Sequence, residues 1–245
     1  MITKNIDITN KSEIKIPEDH IDTKESLRLG VLLAIVGGFL DAYTFISRGG
    51  VFANAQTGNI VLVGVELTKG EWLKALMAFL PILAFVIGVI VAEKIKSFPA
   101  PSLNFVSDSE RIILILEIII LFIIGFIPST VPNSIVTITI SFVCSVQISS
   151  FRKLVDSPYS TAMCTGNLRS ATEAAYSVFV NKDKKSLLKL KRFGIIILSF
   201  LVGACFSGLL TRYFGVKSIW FAVLVLILAV ILFSIDQYRD NKYSQ

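Results

Sequence analysis

The sequence predicts an all-α fold: a polytopic transmembrane helix bundle of six spans plus two re-entrant or broken half-helices, arranged as two inverted-topology repeats. Three observations carry this. The 245 residues are 53% hydrophobic and only 17% charged, with a mean hydropathy of +0.72, which is too apolar for an average soluble domain. Apolar runs long enough to cross a bilayer recur along the chain. A polar tripeptide, Thr-Gly-Asn, occurs at residues 57–59 and again at 165–167, each time opening a segment that returns to an apolar run.

Residues 1–26 mix Lys with Asp and Glu and hold no apolar core of signal-peptide type, so they are expected to form a polar cytoplasmic tail. A membrane domain over 27–236 follows, and 237–245 form a second cytoplasmic tail. Leu29–Ser47 is apolar apart from Asp41, and Ala75–Ala92 carries no charge. Ile112–Phe151 has one acid, Glu117, and is interrupted by Pro128-Ser129-Thr130-Val131-Pro132-Asn133, a sequence that folds a long run back as two helices. Phe193–Thr211 and Ser218–Ile235 complete the six.

Two stretches, Val51–Thr68 and Ser157–Val180, each contain one Thr-Gly-Asn copy and suit either a half-helix or a full crossing. The basic residues discriminate. With six spans and the N-terminus inside, 17 of the Lys and Arg from Lys15 onward lie on the cytoplasmic side against 5 outside (48, 69, 74, 212 and 217). Eight spans give 13 against 8 and leave Arg169 in the membrane. The excess of positive charge on cytoplasmic loops favours six. Three spans per half, 27–128 and 132–236, then place the halves in opposite orientations, as in many secondary transporters.

The halves also align by residue type. Asp41-Ala42-Tyr43-Thr44-Phe45 resembles Gln147-Ile148-Ser149-Ser150-Phe151, and a two-residue insertion brings the tripeptides into register. Gly38-Phe39-Leu40-Asp41-Ala42 and Val51-Phe52-Ala53-Asn54-Ala55-Gln56-Thr57-Gly58-Asn59, with the second Thr165-Gly166-Asn167, resemble the YoaK-like bacterial membrane proteins, a family of uncharacterised function. The resemblance spans about 28–236. It implies a polytopic protein of the bacterial inner membrane and supplies neither substrate nor reaction.

The candidate substrate-binding residues are Asp41, Thr57, Gly58, Asn59, Gln147, Thr165, Gly166 and Asn167. Gly permits a backbone break and close approach, while Thr or Asn can cap the N–H groups of the helix that follows. Irregular backbone at membrane depth survives only where protein or a water-filled cavity covers it. Two helix N-termini meeting there would suit an anionic or polar solute. The competing reading makes both copies surface caps without a ligand.

Asp41 lies well inside an apolar helix, so it should face the interior and pair, hold a proton or bind a cation. Function and a structural ion pair with Arg48 or Arg152 are both open for it. Glu117 has no polar stripe around it and ranks below Asp41. Arg169 and Glu173, four residues apart, are expected to form a helix-surface pair. Tyr43, Phe45 and Phe52 suit packing or a pocket wall, and 182–192 a cytoplasmic anchor beside anionic lipid.

The remaining composition excludes several classes. Cys144, Cys164 and Cys205 have no disulfide or zinc spacing, and the single histidine, His20, lies in the tail. No cofactor or metal is expected, and the basic residues flank apolar runs rather than interleave with aromatics, which argues against nucleic acid. Hydrolase and nucleotide-binding motifs are missing, so an enzyme is not expected. The function predicted is secondary transport or permeation of a small polar or anionic solute, with Asp41 as the point of any proton or cation coupling. The alternative is a non-transporting membrane scaffold or assembly protein.

Overall fold

In a computed structural model, residues 27–97, 105–151, 153–154, 157–158 and 164–243 are described. The expected tail 1–26, with His20, and Arg152 lie outside them. Eight helices follow in order: α1 (Leu27–Ser47), α2 (Gln56–Thr68), α3 (Trp72–Ser97), α4 (Phe105–Ile124), α5 (Asn133–Ser150), α6 (Cys164–Phe179), α7 (Ser186–Phe214) and α8 (Trp220–Tyr243). A 3-10 turn over Gly215–Ile219 joins α7 to α8. Between α5 and α6 the two-residue strands β1 (Lys153–Leu154) and β2 (Ser157–Pro158) pair antiparallel, the one departure from an all-helical chain among the described residues.

Each of the six apolar stretches becomes a long helix. Among the described residues, four stretches are long and apolar enough to cross a membrane: Leu27–Ser47, Trp72–Ile95, Asn133–Ser150 and Ser186–Asp236. The last, of 51 residues, contains both α7 and most of α8. By contrast α2 has 13 residues and α6 has 16, short of the roughly 20 that a crossing needs. Pro81 sits within α3, where packing against neighbours compensates a lost backbone bond.

The surface is inverted relative to that of a soluble protein. Large apolar side chains lie exposed along α3 (Leu76, Leu83, Ile87), α4 (Leu116, Ile119) and α8 (Leu224, Leu228, Ile231). So continuous an apolar exterior needs lipid to cover it. Aromatic residues are exposed at helix ends, with Trp72 at the start of α3 and Tyr213 and Phe214 at the end of α7, the position of an interfacial belt.

Helix α1 is the central element and buries residues around most of its circumference. It packs along α7, while α3 packs along α5. The short helix α2 lies on α3 as α6 lies on α7; α8 packs on α1 as α4 packs on α5; and α4 and α8 pack on each other. Replacing each helix by the one four places along the chain exchanges these pairings two by two and maps the α4–α8 pairing onto itself.

The α1–α7 crossing depends on two glycines. A Cβ on Gly38 would overlap the carbonyl oxygen of Phe200, and one on Gly203 would overlap that of Ile35. In the absence of a hydrophobic force between helices in lipid, such close backbone approach supplies the packing. At the α3–α5 crossing, Gly88 meets Ser145 and the carbonyl of Phe142 in the same manner.

Arg48, just after α1, is fully buried. Its Nη2 donates to the carbonyl of Ile127 at 2.8 Å, Nη1 to that of Pro128 at 3.4 Å and Nε to the Tyr43 hydroxyl at 3.1 Å. Tyr43 in turn donates to the carbonyl of Val216 at 3.1 Å. One guanidinium thus ties the end of α1 to the α4–α5 turn and, through Tyr43, to the 3-10 turn. The ion pair envisaged between Asp41 and Arg48 does not form: the carbonyls of Ile127 and Pro128, in the turn after α4, take the guanidinium instead.

Candidate functional site

After Arg48 the chain turns through Gly49 and Gly50, both at positive φ, and runs back into the protein as an irregular segment before α2. Buried backbone of this kind must find partners. Asp41 provides them: its Oδ1 accepts the N–H of Asn54 at 2.6 Å and that of Ala55 at 3.3 Å. The Asn54 side chain donates from Nδ2 to the carbonyl of Gly37 at 3.2 Å, one turn earlier on α1. Ser141 of α5 and the Gln56 side chain both donate to the carbonyl of Ala53, at 2.8 and 2.9 Å.

Asn59 closes the segment from the other side. Its Oδ1 accepts the N–H of Phe52 at 2.9 Å, and its Nδ2 donates to the carbonyl of Phe52 at 2.8 Å and to Gln56 Oε1 at 2.9 Å. Gly58 leaves room for the Phe52 ring, which a Cβ there would strike. The cap expected from Thr57 is not made: the N-cap of α2 is Ala55, without a side-chain cap bond. Thr57 lies within the first turn, and the free N–H groups preceding it are taken by a carboxylate from α1.

A cavity of about 540 Å³ opens over this segment. Its wall includes Asp41 and Ala42 of α1, Asn54 to Thr57 at the start of α2, and Cys164 and Thr165 at the start of α6. Phe45, Phe52, Phe85 and Phe200 supply most of the apolar wall, with Phe45 and Phe52 stacked at 4.9 Å between centroids. Among the described residues, no Lys, Arg or His lines it. The first residues of the two tripeptides, Thr57 and Thr165, thereby share one cavity although 108 positions separate them.

The other expected site residues lie apart from this wall. Gly58 and Asn59 act beneath it, as described. Gln147, at the position matching Asp41, is buried on α5, with Nε2 lacking a partner among the described residues. Asn167 is buried, whereas Gly166 is exposed with open space beside its α-carbon. Glu117 is fully buried on α4 with the Cys144 thiol 4.0 Å from Oε1. Arg169 and Glu173 form an exposed pair at 2.8 Å, as expected of a helix surface.

Sequence reasoning missed Asn54, Cys164 and Phe200 as cavity residues. Asn54 carried a usable signal, a polar side chain in a polar break between apolar runs. Phe200 carried none, since any apolar residue of α7 facing α1 reads alike.

An apolar exterior, polar side chains such as Asp41, Arg48 and Asn59 buried within an apolar core, and buried irregular backbone define a multi-pass integral membrane protein, with the lipid bilayer as its surroundings. The chain belongs to the family described as "Protein of unknown function (DUF1275)", which matches residues 29–232. It is similar to the UPF0700 transmembrane protein YoaK of Bacillus subtilis (strain 168), at 29% identity over 202 residues that cover 80% of this chain and 88% of that protein. The resemblance drawn from the sequence motifs is thereby established. No solved structure matches.

Proposed function

We propose that this protein is a secondary transporter or permease of the bacterial inner membrane for a small polar or anionic solute. The observation that carries the reading is the joint presence of Thr57, Thr165 and Asp41 in the wall of one cavity. The starts of α2 and α6 both border it, so partial positive charge from two helix N-termini is available to a polar or anionic group. The phenylalanines accommodate an apolar part of the same solute. Solute and protein exchange no bonds in this scheme, which includes no catalytic step.

In this reading α2 and α6 are half-helices and six helices cross the bilayer, with both termini cytoplasmic. Residues 27–128 and 132–236 form inverted repeats, a plan supported by the exchange of helix pairings between α1–α4 and α5–α8. Thr57, Gly58 and Asn59, with Thr165, Gly166 and Asn167, mark the two breaks. Asp41, replaced by Gln147 in the second half, makes the halves unequal and is the point of coupling.

The test is solute flux in proteoliposomes across a panel of small metabolites, comparing the wild type with Asp41→Asn and with Thr57→Trp, which fills the cavity. Flux of one solute class that both substitutions abolish supports the reading. Absence of flux for every solute with folded protein removes it. A scaffold role is favoured by one observation, the use of Asp41 and Asn59 as ties for the buried segment; it predicts that substitutions at both change stability and leave permeability untouched.

A further inference from the structure

Two buried oxygens, each on a residue of the cavity wall, have no hydrogen-bond partner among the described residues: Asp41 Oδ2 and Asn54 Oδ1. Their residues are only 5% and 4% exposed, so bulk water does not satisfy them, and both residues border the same cavity. The remaining polar atoms of both side chains are committed. Asp41 Oδ1 holds the N–H groups of Asn54 and Ala55, and Asn54 Nδ2 holds the carbonyl of Gly37. That last bond also fixes the amide orientation, since a flipped Asn54 would set two carbonyl oxygens against each other. Asn54 therefore presents an acceptor, not a donor.

A buried carboxyl group is neutralised either by a proton or by a compensating positive charge. Among the described residues no basic side chain lines the cavity, and the buried guanidinium nearest in sequence, Arg48, is held by Tyr43, Ile127 and Pro128. We propose that Asp41 Oδ2 and Asn54 Oδ1 are ligands of a monovalent alkali cation of Na⁺ size. Hard cations take oxygen donors, and the hydroxyls of Thr57 and Thr165 in the same wall are further neutral donors. A single carboxylate suits one positive charge; calcium sites draw on more oxygen ligands and commonly on several carboxylates.

The site joins α1 to the irregular segment ahead of α2, so occupancy stabilises that segment. It also offsets the charge of Asp41, which would otherwise repel an anionic solute at the adjoining helix N-termini. This deepens the permease reading, on which the cation's role in coupling rests; the binding site itself rests on the two orphaned oxygens.

The test is thermal unfolding of the purified full-length protein in detergent at fixed pH and ionic strength, with choline chloride replaced stepwise by LiCl, NaCl or KCl. Wild type should show a saturable rise in Tm of about 3 °C or more with NaCl, as expected for a ligand bound by the folded state alone. Asp41→Asn retains an oxygen for the Asn54 and Ala55 N–H groups, so it should fold and lose the Na⁺ response. Asn54→Ala provides the same comparison should Asp41→Asn fail to fold.

A Tm independent of cation identity overturns the proposal, as does an equal shift in Asp41→Asn. A wild-type Tm that responds to pH but not to the alkali cations also overturns it, assigning the charge to a proton. Solute flux without any Na⁺ response in Tm would remove the site and leave the permease; a Na⁺ response in Tm without flux would do the reverse.

Discussion

Asp41 Oδ1 accepts the backbone N–H of Asn54 at 2.6 Å across 13 residues, so an acid in the first long helix anchors the irregular segment that leads into the short helix α2. Asp41→Ala would leave the N–H groups of Asn54 and Ala55 unsatisfied and should destabilise by about 1–3 kcal/mol. Asp41→Asn, which keeps an acceptor, should cost less. Equilibrium unfolding of both variants in mixed micelles checks the order; equal losses would contradict the anchoring role.

Arg48→Met should be among the most destabilising single changes. It removes the donors to Ile127, Pro128 and Tyr43 at once, with an expected cost of about 3 kcal/mol or more. Arg48→Lys should recover only part of this, because an ammonium cannot span the same acceptors as a planar guanidinium. Tm values of the three proteins test the ranking.

Gly38→Val and Gly203→Val should each force α1 and α7 apart, because the added carbons meet backbone carbonyls that have no rotamer to yield. A loss of about 1–3 kcal/mol, or failure to accumulate in the membrane, is expected. Gly64→Val on α2, where nothing lies within 4 Å, serves as the control and should stay within about 1 kcal/mol of wild type.

The division of the chain into apolar helices was legible because bilayer thickness imposes a length that composition alone reveals, as with the runs that became α1, α3 and α7. The Pro128 to Asn133 interruption marked the α4–α5 turn for a similarly local reason, the missing N–H and fixed φ of proline. The site was legible only in outline. The tripeptides marked the starts of α2 and α6, yet the residue that caps the α2 segment, Asp41, reaches it from another helix. The partner of Arg48 was misjudged for the same reason: opposite charge suggested Asp41, and the fold delivered the carbonyls of Ile127 and Pro128 instead. Contacts of long sequence separation leave no periodicity to find.

Outside the membrane helices, the loop before α7 has its own pH response. Asp183 Oδ2 accepts from the Ser186 hydroxyl at 2.7 Å and Oδ1 from the Lys185 N–H at 3.0 Å, and these bonds hold its carboxyl below the ordinary aspartate value. A depressed folded value means that the contribution is complete above the unfolded pKa of about 3.9 and disappears as pH falls through the lower folded value. Asp183→Asn should therefore reduce the acid sensitivity of this loop, read by hydrogen exchange at the start of α7, while changing little near neutral pH.

The central claim, that two distant half-helix starts serve one solute cavity reached from both faces of the membrane, is tested most directly by sided labelling. Thr57→Cys and Thr165→Cys would be placed singly in a background lacking Cys144, Cys164 and Cys205, and treated with a membrane-impermeant maleimide in right-side-out and inverted vesicles. The account predicts that each position is labelled from both sides. Labelling of both positions from one side only would identify the cavity as a surface cleft and contradict it.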